Sequence, residues 1–248
     1  MNKSHLSYRT SNPALNSSTF KTSNNSFLLD DKMTIQGTVD KTAISLVLLI
    51  IAAYYTYSAG MESMILVGSI GGLILALVTI FKKEWSPFTV PLYAILEGLA
   101  LGSISYLYNL QYEGIVLQAI SITVLVLFSL LFAYRTKIIK PTENFKLGLF
   151  AATGGIFLLY MISFIMSFFG SGISLLSANN SSMLSIGLSF GIVIIAALNL
   201  VIDFDFIEEG SEKGAPKYME WYAAFGLLVT LIWLYLELLR LLAKMKNR

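Results

Sequence analysis

Acidic side chains set in apolar sequence are the groups of this chain that could do chemistry. The run Asn-Leu-Val-Ile-Asp-Phe-Asp-Phe-Ile-Glu-Glu-Gly at residues 199–210 closes a long apolar stretch, 183–202, and sets Asp203 and Asp205 at its edge. An ionisable group at bilayer depth is costly, so it usually faces a bundle interior or a water-filled path and works there. The plainer alternative leaves both aspartates just past the membrane edge and merely solvated. On a continuous helix, residues two apart are rotated by about 200°, so Asp203 and Asp205 cannot share a face. Asp203 falls below Asn199, four residues back, on a polar stripe leading towards the membrane interior. Asp205 aligns with Glu208 and Glu209, which suits a solvated helix end. Asp203 is the better functional candidate of the two.

Glu97 lies about nine residues into another apolar stretch, roughly 14 Å deep at 1.5 Å per residue. No Lys or Arg stands in the interior of any such stretch. Glu97 must therefore be protonated, hydrated, hydrogen-bonded by neutral partners, or facing a cation. A protonated carboxyl joining two helices is the bland alternative. Glu220 opens the last apolar stretch and could approach Asp203; carboxylates sharing a proton there would titrate as one unit and sense pH. Glu237 lies near the far end of that stretch with Arg240 three residues on, a spacing that local pairing explains. The acids occupy inner, middle and outer levels, which is consistent with a cation route.

Composition identifies what must position these groups. The 248 residues are 56% hydrophobic and only 13% charged, against about 25% charged in an ordinary soluble domain. Helix faces turned to lipid cannot carry charge. A formal charge of +2, spread over loops, gives no footprint for nucleic acid. With no cysteine, disulfides and thiolate chemistry are excluded. The single histidine, His5, lies in the polar leader, so no histidine triad or zinc site forms among the apolar stretches.

The expected fold is all-α: a polytopic membrane protein with seven transmembrane helices, preceded by a polar leader at residues 1–40. The leader is rich in Ser, Asn and Thr and reads as disordered. It lacks the pattern of a signal peptide. The transmembrane domain covers 41–248, with apolar segments at 42–57, 64–81, 88–108, 115–134, 147–169, 183–202 and 221–244, each near the roughly 20 residues that a bilayer requires. Tyr and Trp cluster at segment ends, as interfacial aromatics do. Gly98 with Gly102, and Gly187 with Gly191, have the spacing of small-residue seams at which helices approach closely.

Loop charges set the orientation. The leader, the second connection (Lys82, Lys83), the fourth (Arg135, Lys137, Lys140, Lys146) and the sixth (Lys213, Lys217) carry Lys or Arg, while the first, third and fifth carry none. Basic loops stay on the side from which they are not translocated, so the N-terminus is cytoplasmic. Seven spans then put Arg240, Lys244, Lys246 and Arg248 outside, against the same rule. Either the last segment spans regardless or it re-enters; its charge-free run at 221–236 favours a full span.

Three runs carry a family likeness: Pro-Leu-Tyr-Ala-Ile-Leu-Glu-Gly-Leu-Ala-Leu-Gly (91–102), Ala-Ala-Leu-Asn-Leu-Val-Ile-Asp-Phe-Asp-Phe-Ile-Glu-Glu-Gly (196–210) and Trp-Leu-Tyr-Leu-Glu-Leu-Leu-Arg-Leu-Leu (233–242). With Ala-Pro-Lys-Tyr-Met-Glu-Trp-Tyr (215–222), they resemble the bacterial branch of the Bax inhibitor-1 family, the transmembrane Bax-inhibitor-motif proteins, from about Met33 onward. The resemblance implies a seven-helix bundle with the last helix central, in the cytoplasmic (inner) membrane, and a pH-sensitive calcium leak. It implies a latch of two aspartates, one on each of the last two helices. Asp203 matches the first of them. Counting back from Arg240, the second falls on Thr230, a departure without which the latch cannot form in its usual way. Asp205 or Glu220 are the substitutes at hand. Glu97 matches the Glu-Gly of the family's third helix; Glu97 and Asp203 are the positions implied for calcium, which would be cargo rather than a cofactor, and Asn199 and Thr230 are polar support.

The leading expectation is thus a calcium or general cation leak, with the lipid bilayer and calcium or protons as partners and with no nucleic acid. The alternative is a non-transporting partner that regulates other membrane proteins or a membrane protease. Enzymatic chemistry is not expected: there is no Gly-x-Ser-x-Gly, no His-Glu-x-x-His and no known pairing of acids for an aspartyl protease.

Overall fold

A computed structural model describes residues 32–170 and 172–248; the leader up to residue 31 lies outside the described residues. Seven helices follow: α1 (Ile35–Ala59), α2 (Met64–Phe81), α3 (Ser86–Gln111), α4 (Ile115–Arg135), α5 (Glu143–Ser167), α6 (Met183–Glu212) and α7 (Met219–Lys246). All seven are long and apolar enough to cross a membrane. The described chain has no strand, only an isolated antiparallel bridge between Lys32 and Pro216. α7 is the most enclosed helix, with 67% of its apolar window buried against 6% for α5. α7 is thus the helix with the least exposed span and α5 the one with the most.

Several ends differ from the apolar runs because polar contacts extend the helices. α1 begins at Ile35, ahead of the apolar run at 42, since Thr34 caps it by accepting from the Gly37 amide at 2.9 Å. Residues 35–40, assigned to the leader from composition, are its first turns. α6 continues ten residues beyond Ile202 to Glu212, so Asp203, Asp205, Glu208 and Glu209 all stand on one unbroken helix.

Two compact units divide the chain. In the first, the described residues are 32–111 and 203–229: α1, α2, α3, the end of α6 and the start of α7. α3 packs against both α1 and α2. Gly98 makes one approach possible, because a Cβ there would stand 2.9 Å from the Ala52 Cβ; at Gly102 it would overlap the Ala53 carbonyl and the Thr56 hydroxyl of α1. Hydroxyls then join the backbones: Thr56 donates to Leu99 O (3.0 Å), Ser103 to Met61 O (2.7 Å) and Thr79 to the Thr89 hydroxyl (2.7 Å). In lipid such bonds and close packing take the place of the hydrophobic effect. Tyr93 meets Phe225 edge to face, centroids 5.0 Å apart.

The second unit holds Tyr112–Ile202 and residues 230–248: α4, α5, the start of α6 and the end of α7. Here the other glycine pair behaves differently. Gly187 and Gly191 have nothing within 4 Å of an added Cβ, so this seam joins no other helix among the described residues. α7 runs unbroken to Lys246, and its end is tied to the Lys/Arg-free connections. Lys246 donates to Glu113 O (2.7 Å), and Asn247 to the Tyr112 hydroxyl (2.6 Å) and Ala178 O (3.1 Å). The last segment therefore crosses fully, ending on the face of the third and fifth connections. Its basic residues break the charge pattern there because most are individually bound: Lys246 as just described, Arg240 by Glu237 and Lys244 by three oxygens.

Candidate functional site

The end of α6 buries one aspartate and not the other. Asp203 is 1% exposed, while Asp205 is half-buried and Glu208 exposed. The continuous helix makes this separation unavoidable, since Asp203 turns to the packed side and Asp205 about 200° away. Asp203 is therefore not a solvated group past the membrane edge. One turn earlier, Asn199 is buried too, its amide donating to the Thr153 hydroxyl (3.0 Å) and to Ile195 O (2.8 Å).

Glu97 is half-buried on α3 and lies against α2. Its carboxyl occupies the space where a Cβ on Gly72 would stand, so the glycine is what admits it. No hydrogen bond or ion pair to another described residue reaches it. Of the four states open to a mid-span acid, hydrogen bonding by neutral protein partners is thus the one this structure does not provide. A proton, water or a cation remains.

Glu220, fully buried, is held by the start of α1. Its Oε1 accepts from the Thr34 amide (3.0 Å) and the Thr34 hydroxyl (2.9 Å), and Lys217 and Lys41 approach at 3.0 and 3.4 Å. It lies at the start of α1, where the helix dipole favours negative charge. Beside it the Met33 amide donates to Ala215 O at 2.7 Å, and Ser86 donates to Tyr218 O at 2.8 Å. Glu220 fastens the first turn of α1 to the first turn of α7. Four groups on this carboxylate are an ample structural reason for its presence.

In the second unit Glu237, 2% exposed, pairs with Arg240 at 2.8 and 2.9 Å and accepts from the Tyr160 hydroxyl (2.6 Å) and the Trp233 indole (3.3 Å). Arg240 also donates to the Tyr160 hydroxyl and lies over its ring. Thr230, where the resemblance would place the second aspartate, is 3% exposed.

Among the described residues, no three acidic, histidine or cysteine side chains gather closely enough to hold a metal ion. Two participants escaped the sequence reading. Thr34 lies 186 residues from its partner Glu220, and no local pattern marks such a pair. Lys244, grouped by sequence with the basic tail, is wholly buried. A signal for it existed: Thr230, Glu237 and Lys244 recur every seven residues and are all buried, so one face of α7 carries a polar stripe.

A model of proteins described as Bax inhibitor 1 like matches residues 12–247, nearly the whole chain. No curated protein and no solved structure matches it.

Proposed function

The chain belongs to the Bax inhibitor 1 like family, and we propose that it is a pH-sensitive calcium or general cation leak of the cytoplasmic membrane, with its N-terminus cytoplasmic. One observation carries this reading: the Glu97 carboxyl, deep in a membrane-spanning helix and set against Gly72, has no hydrogen bond or counter-ion among the described residues. An acid kept in that state is stabilised by water, by a passing cation or by a proton, and competition between the last two makes conduction pH-dependent. Acidic side chains are also what cation pathways use to draw ions from water. Asp203, buried near the basic-loop end of α6, is the gate or proton sensor. Thr230 supplies no second carboxylate, so proton sensing falls to Asp203 and Glu97, and Glu220 acts in fastening α1 to α7. Asp205, half-buried at the same basic-loop end of α6, is the cytoplasmic contact of the route.

Calcium entry into vesicles holding the purified full-length protein and a calcium-reporting dye tests this. Glu97→Gln should reduce the flux and Asp203→Asn should flatten its pH response. Unchanged flux and unchanged pH response in both variants would sink the assignment.

A second reading rests on Gly187 and Gly191, open to lipid on α6. Small residues with free space on a membrane helix admit a close partner helix, as a regulator of other membrane proteins or of a membrane protease would need. Co-purification with a stoichiometric membrane partner, lost on Gly191→Leu while calcium flux is absent, would favour it.

A further inference from the structure

The amine of Lys244 is fully enclosed. It stands near the end of α7, where a lysine ordinarily extends its stem and keeps the ammonium in water. Lys246, two residues on, is exposed in that manner. Lys244 instead has no exposed surface, and its Nζ donates to Leu175 O (2.7 Å), Ser189 Oγ (2.8 Å) and Ser185 O (3.3 Å). Three acceptors take three N–H bonds, which an ammonium has and a neutral amine lacks. All three oxygens are neutral. The acid on the same face of α7, Glu237, is engaged by Arg240, Tyr160 and Trp233.

The oxygens come from separate pieces of chain. Leu175 lies in the short turn at Ser174–Leu176, Ser185 in the first turn of α6 and Ser189 one turn further. Ser185 donates its own hydroxyl to Leu175 O at 2.8 Å, which fixes the turn against the helix. Ser185 and Ser189 are 0% and 1% exposed and Leu175 is half-buried, so two of the three oxygens come from enclosed residues. Neutral carbonyl and hydroxyl oxygens at such distances are what replaces the hydration shell of a large monovalent cation. Divalent cations of the calcium class are bound with carboxylates, which the cage does not offer.

We propose that this cage is a binding site for a monovalent cation of ammonium or potassium size, which the chain fills with its own Lys244. The side chain is a tethered occupant, and a free cation of that size competes with it. Displacement removes the Lys244 link between the end of α7 and the α5–α6 connection and leaves that of Asn247 to Ala178 O. The site contains none of the acids assigned to calcium and stands whether or not the protein conducts.

Two measurements on the full-length protein in detergent test the idea. Acetylation of lysines followed by mass spectrometry should modify Lys244 at least about tenfold more slowly than Lys246 in choline chloride, because reaction requires local opening. Potassium chloride at equal ionic strength should raise the Lys244 rate severalfold and leave Lys246 unchanged. In Lys244→Met the emptied cage should bind free cations, so the melting midpoint should rise with ammonium or potassium and not with lithium or choline, by linkage. Ser189→Ala added to that variant should abolish the rise. Equal labelling of the two lysines overturns the proposal, as does a Lys244 rate indifferent to potassium; both are read on the unaltered protein, whether or not the variant folds. A rise common to all four salts in Lys244→Met also overturns it.

Discussion

Gly37→Ala should be harmful or helpful depending on the residue at position 220. Gly37 is the third residue of α1, and a Cβ built on it would lie inside the Glu220 carboxyl. In the intact protein that carboxyl must move, and the bonds from the Thr34 amide (3.0 Å) and hydroxyl (2.9 Å) go with it. Hydrogen bonds to a charged group contribute about 1.5–3 kcal/mol each. The pairs with Lys41 and Lys217, whose side chains are 26% and 48% exposed, add about 0–1 kcal/mol each. Thr34 is exposed, so water recovers part of the loss, and the net cost comes to about 2–4 kcal/mol. Glu220→Ala removes the same bonds and should cost about the same. Once it is made, Ala at position 37 meets no carboxyl, and replacing a helical Gly by Ala then gains about 0.5–1 kcal/mol. The two substitutions should therefore be non-additive by about 3 kcal/mol. Equilibrium unfolding of the four proteins in mixed micelles, titrated with a denaturing detergent, measures it. An equal cost for Gly37→Ala in both backgrounds would refute the placement of Glu220 at the start of α1.

Other outcomes follow from the same packing. Gly102→Ala should cost about 1–3 kcal/mol by overpacking against Ala53 and Thr56, whereas Gly191→Ala, with nothing near its added Cβ, should be neutral or gain up to about 1 kcal/mol; micelle unfolding separates the two. Arg240→Met leaves the buried Glu237 with Tyr160 and Trp233 alone and should cost about 3 kcal/mol, and adding Glu237→Gln should restore most of it in the same assay. Glu97→Gln should slow calcium entry into vesicles about tenfold, a barrier change of about 1.4 kcal/mol. Gly72→Ala, which displaces the Glu97 carboxyl without removing its charge, should also slow entry; a rate unchanged in both variants would leave no role for the carboxyl's position.

What the sequence determined alone was local in origin. A scarcity of charge and seven apolar stretches identify a polytopic helical membrane protein, because each stretch must satisfy its backbone within itself. The separation of Asp203 from Asp205 was also legible, since 200° of rotation follows from helix geometry once the helix is continuous. Tertiary structure decided everything that depends on which helix lies beside which. Gly98 with Gly102 and Gly187 with Gly191 share one spacing, yet among the described residues only the first pair meets another helix. Glu220 is held by Thr34, 186 residues away, a partner that no local pattern marks. Lys244 read as one of four tail charges and is enclosed by oxygens of the α5–α6 region. A carboxylate or an ammonium carries the same letter in the sequence whether it faces water or is buried. Its role is set by which distant backbone and hydroxyl groups the fold brings within about 3 Å of it, and only the packed helices fix that.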